Sequence, residues 1–169
     1  MFIKIYPMNT NLYLHEIAIT AIIVNKGKYL ITKRSLNKKR FPGKWTVPGG
    51  KLETDDYTSL PKDTEFYWYN VLEKVLRREV MEEVGVEITN IEYVTSLATT
   101  HSDGNPSLVI SCMADYVSGK VKLQKEEADE YSWVSLDEAK NYDLIDGIYD
   151  ELVMAENKIK GVKSEWKRN

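Results

Sequence analysis

The chain has one cysteine, Cys112, two histidines and five prolines among its 169 residues. One thiol closes no intramolecular bridge and cannot by itself supply a zinc site needing about four Cys/His ligands. A disulfide-stapled module is excluded, and the cytoplasm is the expected compartment. Long apolar runs are also missing. The longest, Ile17 to Val24, falls far short of the roughly 20 residues that span a bilayer, so no membrane partner is expected. Met1 to Thr10 carries Lys4 and Pro7 and lacks the apolar centre of a signal peptide. Repeats, low-complexity tracts and Gly/Ser linkers are absent. The length suits one core, because about 100–200 residues is usual for a domain. A single domain over residues 1–169 is therefore expected, with its core at about 15–158.

Charge of one sign is missing locally. The formal net charge is −3, which argues against a nucleic-acid-coating protein, usually basic in balance. Yet from Ile17 to Leu52 there is no acid, while Lys26, Lys28, Lys33, Arg34, Lys38, Lys39, Arg40, Lys44 and Lys51 are all basic. From Asp115 to Glu156 twelve acids face four lysines. Two readings stand: two solvated faces of opposite sign, or a basic wall for an anionic ligand.

The elements read as α+β. Residues 17–24 are rich in β-branched side chains and lead through Asn25-Lys26-Gly27 into Lys28 to Lys33, a hairpin pattern. Trp45-Thr46-Val47 reads as a short strand stopped by Pro48-Gly49-Gly50. Leu72, Val75, Leu76 and Val80 recur at three- and four-residue steps, which predicts a long helix from about Thr64 to Val84 ending at Gly85. Two further strands are predicted at Ile91 to Thr100 and Ser107 to Tyr116. A strand at Tyr131 to Val134 and a helix from about Leu144 to Lys158 complete a mixed sheet covered by helices.

The densest chemistry is the segment Arg78 to Val86, REVMEEVGV. Glu79, Glu82 and Glu83 share one helical face within a turn and repel one another. Oxygen-rich clusters of this kind suit Mg²⁺ or Mn²⁺. Arg78 is placed to brace a carboxylate. Alone, the segment also fits an amphipathic helix with a solvated acidic face. Upstream, Gly49 and Gly50 let backbone approach a ligand closely, and a carbonyl there can complete a metal shell.

Gly50 followed by REVMEEVGV resembles the box of the Nudix hydrolase family, G-x5-E-x7-R-E-U-x-E-E-x-G-U with U bulky and aliphatic. Arg78, Glu79, Val80, Glu82, Glu83, Gly85 and Val86 match. Thr32-Lys33-Arg34, Phe41-Pro42-Gly43-Lys44-Trp45 and Trp133-Val134 also resemble the family's flanks. The first half departs: Gly50 to Arg78 is 28 positions where the pattern has 14, an insertion of 14 residues. The box's first Glu is replaced. Asp56 lies six after Gly50 and Asn70 eight before Arg78; Asp56 is a shorter substitute, with Glu53, Glu65 and Glu73 as other candidates.

The resemblance implies an α+β fold, a mixed sheet sandwiched between helices with a catalytic loop-helix-loop mid-chain. It implies Mg²⁺-dependent (or Mn²⁺-dependent) hydrolysis of a nucleoside diphosphate linked to another group. Glu79, Glu82 and Glu83 with the Gly49 carbonyl would hold metal; Glu79, Arg78 and Glu82 would be the catalytic set. The basic stretch then offers phosphate contacts, with Arg34 and Lys44 foremost and Lys51 behind them. The general base is Glu79 or a later-loop glutamate, Glu126, Glu127 or Glu130. The expected partner is a small nucleotide rather than nucleic acid, with a homodimer as a further expectation. A nucleotide-sensing domain without catalysis and an RNA-end pyrophosphohydrolase are the alternatives. His101 reads as a strand-end residue and Cys112 as core. Phe66-Tyr67-Trp68-Tyr69 reads as packing or a dimer face ahead of base stacking, and Trp45 as core or base contact.

Overall fold

The computed structural model describes residues 14–163 and 165–167. Strand β1 (Glu16–Asn25) turns into β2 (Lys28–Arg34) through Lys26 and Gly27, both at positive φ (50° and 75°). Two such residues give the primed turn whose twist matches the strands, so the hairpin forms where the sequence places it. The order across the sheet is β3 (Trp45–Thr46), β2, β1, β6 (Pro106–Ser118) and β5 (Glu87–Thr100), with β7 (Ala128–Val134) on β2. Among the pairings between these strands only β1–β6 is parallel.

One edge of β1 is shared. Near Val24 it pairs with β2, whereas Ala18, Ile19 and Thr20 pair with β4 (Gly49–Lys51). Between them the Ala21 N–H donates to the Pro48 carbonyl at 2.8 Å. Gly49 and Gly50 are thus strand, not the strand-stop of the sequence reading. No side chain fits at Gly49: a Cβ would lie 2.3 Å from the Ile19 carbonyl oxygen. The expected strands also lengthen, to Glu87–Thr100, Pro106–Ser118 and Ala128–Val134.

The sheet has a core on each face. Ile19, Ala21, Ile23 and Leu30 pack with Val75, Leu76, Val80 and Val84 of α2 (Val71–Val84). Ile22, Tyr29, Ile31, Met113 and Val134 pack with Ala139 of α3 (Leu136–Ala139) and Ile148, Leu152 and Ala155 of α4 (Ile148–Ile159). This is the expected sandwich, and it follows from the period of two along β1. Each fully buried aliphatic side chain contributes about 1.5–3 kcal/mol. Cys112 is buried, and burial pushes its thiol up to about 11.

Helix α2 starts seven residues later than the spacing predicts. Residues 63–69 fold on themselves: the Asp63 and Thr64 N–H groups donate to the Tyr67 carbonyl, and the Asp63 carboxylate accepts from the Tyr69 N–H at 2.8 Å. Asn70 then sits in the left-handed region (φ 53°), so the helix cannot run back through it. A short α1 (Asp55–Thr58) precedes this segment. Of the aromatic run, Trp68 packs here: it tilts against Tyr57 at 5.3 Å and donates to the Leu60 carbonyl. Phe66, Tyr67 and Tyr69 are exposed.

The last helix likewise starts at Ile148, not Leu144. Trp45 draws the preceding segment into sheet-like bonds, with its N–H donating to the Asp143 carbonyl and its own carbonyl accepting from the Ile145 N–H. Its ring meets Tyr142 edge-on at 4.8 Å, a core role. His101 is partly buried at the end of β5, with Nε2 2.9 Å from Ser107 Oγ. Among the described residues no helix is long and apolar enough to cross a membrane.

Candidate functional site

Gly85 ends α2 in the left-handed region, its N–H bonding to the Val80 and Met81 carbonyls. The helix lies against β4, which brings Glu79 and Glu83, one turn apart, onto the two glycines. Glu83 is 8% exposed; its carboxylate accepts from the Gly49 N–H at 2.9 Å and from Thr32 Oγ1 at 3.5 Å. Burial, opposed by that N–H and reinforced by Glu127, pushes Glu83 up to about 7. The Glu79 carboxylate fills the space over Gly50, and burial raises it too, against the pull of Arg78.

Arg78 gathers three carboxylates: Asp56 at 2.7 Å, Glu79 at 2.9 Å and Glu82 at 2.8 Å. Of the candidates for the box's first acid, Asp56 is thus one that meets Arg78. The insertion leaves this contact intact because Asp56 lies on its near side, in α1. Glu82 is half exposed and turned toward Arg78. Among the described residues, no three His, Cys, Asp or Glu side chains converge into a ready-made cage.

The late loop is tied to the helix end. Lys122 and Gln124 donate N–H bonds to the Val84 and Glu83 carbonyls, and the Glu127 carbonyl accepts from Ser35. Glu127 thereby comes near both Glu83 and Arg34. Of its neighbours, Glu126 is exposed and Glu130 pairs with Lys33 at 2.7 Å. Arg34 is half-buried beside Glu83 and Glu127, its Nε donating to the Arg40 carbonyl at 3.0 Å. Lys44 pairs with Asp143 and Lys51 with Glu16.

The basic stretch is therefore no open wall. Lys28, Lys33, Lys38 and Lys44 pair with Glu138, Glu130, Glu127 and Asp143 of the acidic third, and Arg40 with Glu16 and Asp103. The two charge runs meet instead in solvated pairs. Thr32 is the residue of this cluster the sequence did not single out; its signal is a buried hydroxyl beside the apolar Leu30 and Ile31 in a strand that ends on two basic residues.

A family profile for the NUDIX domain matches residues 14–153. The nucleoside triphosphatase NudI of Klebsiella pneumoniae (strain 342) is 31% identical over 132 residues, covering 73% of this chain and 84% of that protein. The MutT protein of Methanosarcina mazei Go1 superposes with a TM-score of 0.65 at 29% identity, covering 86% of this chain and 96% of that one. A MutT NUDIX hydrolase from Burkholderia pseudomallei shares the fold, with a TM-score of 0.67 at 20% identity over 83% of this chain and 98% of that one. With the glutamates of α2 set on the paired glycines and the profile covering most of the sequence, the chain belongs to the Nudix hydrolase family.

Proposed function

We propose that this chain hydrolyses the pyrophosphate bond of a nucleoside diphosphate linked to another group, in the cytoplasm, with Mg²⁺ or Mn²⁺ bound. One observation carries the reading: Glu79 and Glu83, a turn apart, are pressed onto Gly50 and Gly49 and steered by Arg78. Two crowded carboxylates made costly by burial form a hard-oxygen donor set that a divalent cation relieves. Glu79, Glu82 and Glu83, with the Gly49 carbonyl, would hold the ion. Bound there, it supplies a polarised phosphoryl oxygen and an acidified water. Nucleoside triphosphates are the first substrates to test, given the relative named a nucleoside triphosphatase.

The chain's own groups divide the remaining work. Arg78, held by Asp56, orients Glu79 and must release Glu82 for it to join the set. The Gly49 N–H and Thr32 fix Glu83. Arg34 is the cation beside this cluster and is assigned the substrate phosphate; Lys44 and Lys51 are not. Glu127 is the later-loop glutamate near the cluster, so the base is Glu79 or Glu127.

The test is turnover of (d)NTPs, ADP-ribose, NADH and dinucleoside polyphosphates with and without Mg²⁺. Metal-dependent release of a nucleoside monophosphate is expected, and no turnover of any compound would refute the reading. Glu82→Gln and Glu83→Gln should each lower kcat by more than about 100-fold, beyond the 10–100-fold typical of an outer-shell partner.

A further inference from the structure

From Glu53 to Asn70 the chain is nearly all surface: only Asp56, Tyr57 and Trp68 are not exposed. Asp56 uses both carboxylate oxygens, Oδ1 pairing with Arg78 at 2.7 Å and Oδ2 accepting the Glu53 N–H at 2.7 Å. The next residue, Tyr57, meets the Trp68 ring with centroids 5.3 Å apart. Helix α1 cannot hold this arrangement by itself. It has four residues, no capping side-chain bond and no buried residue, whereas isolated helices shorter than about 12–15 residues are marginal in water.

Trp68 supplies the hold from outside the helix. Its Nε1 donates to the Leu60 carbonyl at 2.9 Å, and the Leu60 N–H donates to the Tyr57 carbonyl at 3.0 Å. The indole thus grips both the ring of Tyr57 and the backbone that leaves α1. The Lys62 ammonium lies 5.2 Å from its ring centroid, within cation–π range. The far end of the segment is fixed to α2. Asp63 accepts from the Tyr69 N–H at 2.8 Å and faces the Lys74 ammonium at 3.8 Å, and the Lys74 N–H donates to the Asn70 carbonyl. Residues 57–70 therefore form a buckle from α1 to the start of α2, with one aromatic pair as its clasp. Phe66 and Tyr67 meet each other edge-on and stay exposed, so Trp68 is the member of the aromatic run that ties down α1.

We propose that Trp68 is a positioning residue of the reaction: through Tyr57 it keeps Asp56 on Arg78, and through Arg78 it sets Glu79. The proposal rests on the nucleotide hydrolysis argued above. Arg78 meets Asp56 and Glu79 through the same Nη2, at 2.7 Å and 2.9 Å, while Nη1 holds the half-exposed Glu82. A guanidinium is planar and donates in a fixed fork, so whatever fixes one of its bonds aims the others. With the clasp gone, α1 and the residues after it regain the backbone freedom that ordering had removed. Asp56 then leaves Arg78, and Arg78 no longer holds Glu79 in one place.

The experiment is a double-mutant cycle on the full chain with its preferred nucleotide. Trp68→Ala should lower kcat by about 10-fold or more, as loss of an outer partner does, with KM within about twofold. Trp68→Phe keeps a ring on Tyr57 and should restore most of the rate. A residue that acts only through Asp56 has nothing left to position once Asp56 is gone, so Trp68→Ala added to Asp56→Asn should change its rate by less than about twofold. Losses that multiply overturn the proposal, as does a Trp68→Ala rate no lower than that of Phe66→Ala, the exposed control. A second readout needs neither metal nor turnover. In the metal-free chain the Thr58 and Leu60 amides should exchange at least about 10-fold faster in Trp68→Ala, while those of Val75 to Val80 keep their protection, the mark of a local opening. Unchanged exchange at Thr58 and Leu60 also overturns the proposal. Should Trp68→Ala fail to fold, Tyr57→Leu removes the same pair from the other side and carries both tests. Faster exchange in a chain that hydrolyses nothing would refute the hydrolase reading and leave the clasp on α1 standing; hydrolysis with losses that multiply would do the reverse.

Discussion

The carboxylate of Glu79 lies in the space a side chain on Gly50 would fill, its Cδ 2.0 Å from the ideal Cβ position. The neighbouring glycine is closed by backbone instead, with the Ile19 carbonyl oxygen 2.3 Å and Thr20 Cα 2.7 Å away. Adjacent glycines thus serve different ends, one the site and one the sheet.

Gly50→Ala should therefore displace a flexible side chain at little cost to folding but move Glu79 off its position. Expected are a kcat loss of about 100-fold or more and a melting temperature within a few degrees. Gly49→Ala meets backbone and should destabilise the fold by about 2 kcal/mol or more, in the range of overpacked sites. Urea melts of the two variants beside their rates check the contrast; equal destabilisation would refute it.

Asp56 is the acid that holds Arg78 from across the insertion. Loss of a supporting partner generally costs 10–100-fold in activity or metal affinity, and Asp56→Asn should fall in that range. Glu53→Gln, Glu65→Gln and Glu73→Gln should change turnover by less than about threefold. A large effect at Glu73 with none at Asp56 would reverse the assignment.

The three phosphate candidates are now unequal. Arg34→Ala should raise KM by about 10-fold or more, whereas Lys44→Ala and Lys51→Ala remove exposed pairs with Asp143 and Glu16. Such pairs contribute about 0–1 kcal/mol, so these variants should keep kcat/KM within about threefold. Steady-state kinetics on the preferred nucleotide decides.

Glu16 ties β1 to two cations. The Arg40 guanidinium and the Lys51 ammonium hold its carboxyl at about 2, below the ordinary 4.5. A depressed carboxyl binds fewer protons folded than unfolded, so its stabilisation is complete above about pH 4.5 and is lost as pH falls toward 2. Glu16→Gln should lower the melting temperature at pH 7 and flatten its fall across that window. Parallel acid limbs for the two proteins would contradict the pairing.

Much of this was written locally. REVMEEVGV is legible because a helical face and its C-terminal glycine depend on spacing alone, and Lys26-Gly27 is legible because its turn needs two residues tolerant of positive φ. The start of α2 was not. Residues 64–70 carry no helix breaker, and what stops the helix is a set of bonds from Asp63 and Thr64 to Tyr67 and Tyr69. Local side-chain bonds of this sort compete with the helix without altering its apolar period.

The sequence by itself determined the family, most of the order of elements and the placing of Glu79, Glu82 and Glu83 on one helical face, since all are patterns within a few turns of chain. Only the tertiary structure decided which of those groups meet. Charge runs far apart in the chain meet in pairs such as Lys33–Glu130 across β2 and β7, and Arg34 lies beside the glutamates. Asp56 reaches Arg78 across an insertion, and Trp68 closes back on Tyr57. Contacts between distant residues depend on sheet register and on which face a helix covers, neither of which is readable from neighbours in sequence.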